Sequence, residues 1–147
     1  MRDVASIAVR PMQPEDAAVV ADLTTQLGYP STEEEIIRRY DLIKERADAR
    51  LFVAQQAGSV VGWIHVQTTC SLDFDPRAEI WGLVVAESTR GTGVGRRLVE
   101  AAEEWARSRS LGVIVLRSNQ LRTGAQGFYQ HLGYTITKTQ NAFRKNL

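Results

Sequence analysis

The chain has 147 residues, 44% hydrophobic and 24% charged, with a formal net charge of +1, which suits a single globular domain over residues 1–147. Near-neutral charge gives no overall electrostatic case for nucleic acid, and no apolar run reaches membrane length. Cys70 is alone, which excludes an internal disulfide framework; with no leader pattern at the start, the expectation is a cytoplasmic protein.

Ile7 to Met12 reads as a first strand. Pro14, Glu15 and Asp16 suit the first turn of a helix. Ala17, Val20, Leu23, Thr24 and Leu27 follow as a helical stripe, with Gly28 as a C-terminal cap. Ser31 and Glu34 form a capping box, predicting a second helix with Ile36, Tyr40, Ile43 and Ala47 on one face. Leu51 to Gln56 and Val60 to Thr69 read as a hairpin around Ala57-Gly58-Ser59. His65 sits mid-strand. With His131 the only other histidine, no metal site is expected. Asp73 to Pro76 reads as a loop.

The next strand, Ala78 to Val85, is largely apolar. Strict alternation puts Glu79, Trp81, Leu83 and Val85 on one side. Ala78, Ile80, Gly82 and Val84 point the other way. A bulge would shift this parity. After the strand come Arg90, Gly91, Thr92, Gly93, Val94, Gly95, Arg96 and Arg97. Val94, Leu98, Ala102, Trp105 and Ala106 then recur at helical spacing. Glycines leave backbone N–H groups bare, and a helix N-terminus gathers them into an anion site. Three arginines in eight residues add positive charge. The residues describe a phosphate or pyrophosphate cradle. A P-loop would need Gly-Lys-Ser/Thr where Gly95-Arg96-Arg97 stands. A dinucleotide fingerprint would need glycine at Arg96 or Leu98.

Val113 to Arg117 is a further apolar strand. Thr123 and Gln126 make another capping box. The helix they open carries Ala125, Phe128, Tyr129 and Leu132 on one face and is capped by Gly133. Tyr134 to Thr139 and Ala142 to Lys145 read as a terminal strand pair.

Arg90-x-x-Gly93-x-Gly95 after a Leu-Val-Val strand end resembles the acyl-CoA loop of the GNAT superfamily of N-acetyltransferases. Arg10, Pro11 and Asp16 match that superfamily's opening turn. The succession Asn119, Arg122, Ala125, Phe128, Tyr129, Gly133, Tyr134 is similar to the second half of its coenzyme site. The resemblance covers essentially the whole chain and is closest to small-amine acetyltransferases. It implies an α/β fold: a central mixed sheet flanked by helices, splayed where acetyl-CoA lies. It implies pantetheine bonding near Leu83 and Val85. The pyrophosphate would lie on Gly91, Thr92, Gly93, Val94, Gly95 and Arg96, with Arg90, Asn119 and Arg122 completing the site. Acetyl-CoA would be a cosubstrate, the partner a small-molecule amine, and the assembly a homodimer. Protein or peptide acetylation, and a CoA-binding module with little transfer, are the alternatives.

Acetyl transfer to an amine needs the amine's proton removed, a donor for the oxyanion and a proton for the leaving thiolate. The resemblance assigns the donor to the backbone of Val84 or Val85 and the acid to Tyr129. By spacing alone Tyr129 is a core tyrosine. Many members carry a glutamate where this chain has Trp81, so Trp81 reads as a pocket wall or core residue. Glu79 then stands either as a base acting through water or as a strand glutamate without a role.

Overall fold

The computed structural model describes residues 6–121 and 123–147, with the backbone alone at Thr123. The chain forms two compact units, Met1–Leu116 and Arg117–Leu147. In the first, β1 (Ile7–Pro11) leads through a 3-10 turn into α1 (Ala17–Gln26) and α2 (Glu33–Lys44). Three longer strands follow: β2 (Ala49–Gln56), β3 (Ser59–Ser71) and β4 (Phe74–Val85). Then come α3 (Val94–Ser108) and β5 (Ile114–Leu116). The second unit holds α4 (Thr123–His131). The strands lie in the order β1-β2-β3-β4-β5. All neighbours run antiparallel except β4 and β5, which are parallel. No helix among the described residues is long and apolar enough to cross a membrane.

The two faces of the sheet are covered by different helices. Gly62 on β3 faces α3: a Cβ there would lie 3.0 Å from Leu98 and 3.2 Å from Val94. Its neighbour Trp63 points the other way, as successive strand residues must. The Trp63 indole N–H donates to Thr24 Oγ1 of α1 at 3.1 Å. On that face Met12, Ala17, Val20, Ala21, Ile36 and Val53 form a buried cluster, with Tyr40, Leu51 and Trp63 packed against it. On the α3 face, Ile64, Val66, Val94, Leu98 and Val99 are almost fully buried.

Local chemistry sets most boundaries. Ala57 and Gly58 both have positive φ, 52° and 80°, which the tight β2–β3 hairpin requires. The capping box of α2 falls one residue later than the sequence suggests. Thr32 is the N-cap and Glu35 its reciprocal partner, because Thr32 has the extended backbone a cap needs. The expected loop at Asp73–Pro76 is largely strand: β4 begins at Phe74, and the Arg77 guanidinium stacks 3.7 Å over the Phe74 ring. The expected terminal strand pair is absent, since residues 134–147 form no strand. Ile136 and Phe143 are exposed there, so neither segment has a buried face to hold a register. The expected Thr123 side-chain cap lies outside the described residues; Gln126 instead donates to the Gln120 carbonyl at 3.0 Å.

Arg10 ties β1 to the start of α1. Its two terminal nitrogens each donate to an Asp16 carboxylate oxygen at 2.8 Å, and the Gln13 amide donates to the same carboxylate. Hydrogen bonding to Arg10 holds Asp16 below the usual carboxylate range, although burial opposes it. A depressed carboxylate stabilises the fold above its unfolded pKa of about 3.9, and that contribution disappears as pH falls through the folded value. Asp16→Asn should therefore lower the melting temperature at pH 7, and the gap from wild type should close as pH falls through the depressed carboxylate value, below the unfolded value of about 3.9. Thermal scans of both proteins across pH check this.

Candidate active site

The site begins where β4 loses a neighbour. β5 pairs only with Ala78, Glu79 and Ile80. From Trp81 to Val85, among the described residues, β4 pairs with β3 alone. Alternate amides along this stretch turn toward an open edge. Leu83, Val84 and Val85, the expected coenzyme-binding residues, lie on it, opposite Ile64, Trp63 and Gly62.

The register of β3 with β4 slips between His65 and Val66, which oppose Gly82 and Ile80. Trp81 is the extra residue of a β-bulge. The slip overturns the expected alternation. Ile80 shares a face with Leu83 and Val85, whereas Glu79 shares one with Gly82 and Val84. Directly opposed residues point the same way, so Glu79 joins Gln67, His65 and Trp63 on the face covered by α1. Glu79 is buried there, while Trp81 is 52% exposed.

The chain leaves Val85 through a short 3-10 turn at Glu87–Thr89 and reaches α3 by way of Gly91 and Gly93. Both glycines have positive φ, 80° and 95°. Gly93 is the N-cap of α3, so no side chain caps the helix. The amides of Val94, Gly95 and Arg96 lie in its first turn, where helical N–H groups have no intrahelical acceptor. This has the elements an anion site requires: bare amides, a positive dipole end and no Cβ in the way. The arginines are less concentrated than the sequence suggests. Arg90 lies 4.0 Å from Glu87, and Arg96 donates to Glu100 at 3.2 Å. Arg97 turns elsewhere, lining a groove with Val9, Phe52, Glu104 and Trp105.

The remaining expected residues belong to the second unit. Asn119 accepts the Leu121 amide at 2.9 Å, a local turn before α4. Arg122 lies outside the described residues. Tyr129 packs edge-on against Phe128 and Tyr134, with ring centroids 5.1 and 5.8 Å away. Burial pushes its phenol up to about 12. At neutral pH it is therefore a protonated O–H, able to donate.

Residues 17–134 match the model of the acetyltransferase (GNAT) family. The chain belongs to the GNAT acetyltransferase family. It is 35% identical over 99 residues to a mycothiol acetyltransferase of Thermobispora bispora, covering 66% of this chain and 34% of that protein. It is 31% identical over 99 residues to a streptothricin acetyltransferase of Streptomyces lavendulae, covering 67% of this chain and 51% of that one. The matches thus span about a third and about half of these relatives. An aminoglycoside N-acetyltransferase, AAC(6')-Iy, solved in complex with CoA, superimposes with a TM-score of 0.85 at 20% identity, over 97% of both chains. That likeness establishes the α/β GNAT fold, a mixed five-stranded sheet flanked by helices.

Two features of this GNAT chain escaped the sequence reading. One is His65, whose position opposite Gly82 depends on the bulge. The other is Gly82 itself. A Cβ at Gly82 would lie 2.7 Å from the Trp63 ring, which Thr24 holds in place. Gly82→Ala should destabilise the protein by about 1–3 kcal/mol, the range for forcing a methyl into a packed site. Urea unfolding with tryptophan fluorescence checks it; unchanged stability would mean that the indole swings aside freely.

Proposed function

We propose that this chain is an acetyl-CoA-dependent N-acetyltransferase acting on a primary amine of a small molecule by direct attack. The observation that carries the reading is the adjacency of two features in one segment: the open edge of β4 and, nine residues after its end, the uncapped N-terminus of α3. An extended pantetheine arm can hydrogen-bond to the first, and a pyrophosphate can accept hydrogen bonds from the second. Family membership and small-molecule acetyltransferase relatives support the same reading.

In this reading Leu83 and Val85 bond the arm, and the Val85 amide donates to the developing oxyanion; the alternative, Val84, turns its backbone to β3, where its carbonyl lies beside Gly62. The amides from Gly91 to Arg96 hold the pyrophosphate, with Arg90 near them in the chain; the family pattern gives Asn119 and Arg122 the same ligand. Tyr129 protonates the leaving thiolate, and its protonated phenol supports that role. Glu79 takes the amine's proton through water, and the half-exposed Trp81 walls the acceptor pocket.

Thiol release from acetyl-CoA, measured against a panel of amines, tests the activity. Release that no amine accelerates would overturn it. Gly93→Asp should abolish CoA binding in calorimetry, because it places a side chain and a negative charge at the cradle; unchanged affinity in a folded variant would remove the loop from the site. Tyr129→Phe should keep its fold and CoA affinity. Its turnover should fall by about 10²–10⁴-fold when chemistry limits the rate, the usual worth of a general acid. Normal turnover would leave the tyrosine a packing role.

A further inference from the structure

Along α3, Arg97, Ala101, Glu104 and Ser108 stand three and four residues apart, so they form one stripe on the helix surface. It is separate from the buried stripe of Val94, Leu98 and Ala102 that packs on the sheet. The outer stripe walls a groove whose other side is Val9 of β1 and Phe52 of β2, with Trp105 at its foot. β1 is the edge strand of the sheet, and Val9 and Phe52 are only half-buried. The helix thus leaves the β1–β2 end of its own face partly uncovered.

The charges on this stripe are unmet. Arg97 and Glu104 are exposed, and neither is in an ion pair among the described residues. They lie two turns apart, about 10 Å along the axis, too far to neutralise one another. A stripe with a cation at one end and an anion at the other is complementary to itself when reversed.

We propose that this stripe is a dimer interface, along which the α3 of a second copy lies antiparallel. A two-fold axis beside Ala101 sets Arg97 against the partner's Glu104 and Glu104 against the partner's Arg97, so one contact meets both charges twice over. Ala101 at the crossing is small, which lets the helix axes approach to about 8–10 Å. Glu100 also lies near the axis, and Arg96 of its own helix neutralises it at 3.2 Å. Val9 and Phe52 add apolar area beside the crossing. The mixed charge selects this occupant: a polyanion or a polycation would satisfy one end of the stripe and be repelled by the other.

Sedimentation across micromolar concentrations should show a monomer–dimer equilibrium. A monomer throughout would overturn the interface. Arg97→Glu and Glu104→Arg each set like charges together at both contacts, so either variant alone should weaken self-association by about tenfold or more. Both positions are exposed, and unchanged melting temperatures check that the fold is kept. An equal mixture of the two variants should recover the dimer, because every contact then joins opposite charges again. Dimers indifferent to both reversals, or a mixture that stays monomeric, would overturn the pairing. None of these measurements uses acetyl transfer, so the proposal stands or falls apart from the acetyltransferase reading.

Discussion

The parallel pairing of β4 with β5 covers Ala78, Glu79 and Ile80 and then stops. At the next residue, Trp81, the antiparallel pairing with β3 also slips. One strand thus changes on both edges within a single step. Before that step β4 is an interior strand, with Ala78 and Ile80 buried. Beyond it the strand keeps one partner and offers its other edge. A bulge bends its strand and increases the local twist, which turns this edge away from the line of β5. The open edge, the burial of Glu79 and the exposure of Trp81 all follow from this local irregularity.

Close backbone approach holds the irregular stretch in place. Gly62 lets α3 press against β3, with the Val84 carbonyl 2.9 Å from where a Cβ would sit. Gly82 lets the Trp63 indole lie across β4 from the other face. The indole is tethered to Thr24, whose own hydroxyl donates to the Val20 carbonyl at 2.6 Å. Two glycines on neighbouring strands thus admit a helix on one side and an aromatic plate on the other. Side chains at either position would push the sheet apart beside its open edge.

Electrostatics at the start of α3 come mainly from the backbone. Arg96 is engaged with Glu100 and Arg97 points into another groove, so the positive potential there comes from amides and the helix dipole. Exposed ion pairs of this kind are worth little in water. In the second unit, burial raises the Tyr129 phenol, which is neutral at pH 7 in any case, still further above neutrality.

Much of this was legible in the residues. Helical stripes, the Ala57-Gly58 hairpin and the glycine turn before α3 are local signals, governed by backbone sterics and side-chain period. Arg90, Gly93 and Gly95, with Asn119 and Tyr129, carried the family pattern because they stand at fixed spacings along the chain. The start of β4 at Phe74 was hidden by Asp73, Asp75 and Pro76, which are turn formers that the β3–β4 pairing overrides. The expected terminal strands do not form, because a short alternation cannot pair without a surface to bury. The order of the elements and the glycine turn before α3 could be read along the chain, since both depend on near neighbours. Which face Glu79 occupies, and which groups share it, needed the paired strands. That depends on a one-residue slip between strands: with a side-chain period of two, such a slip moves every later residue to the opposite face.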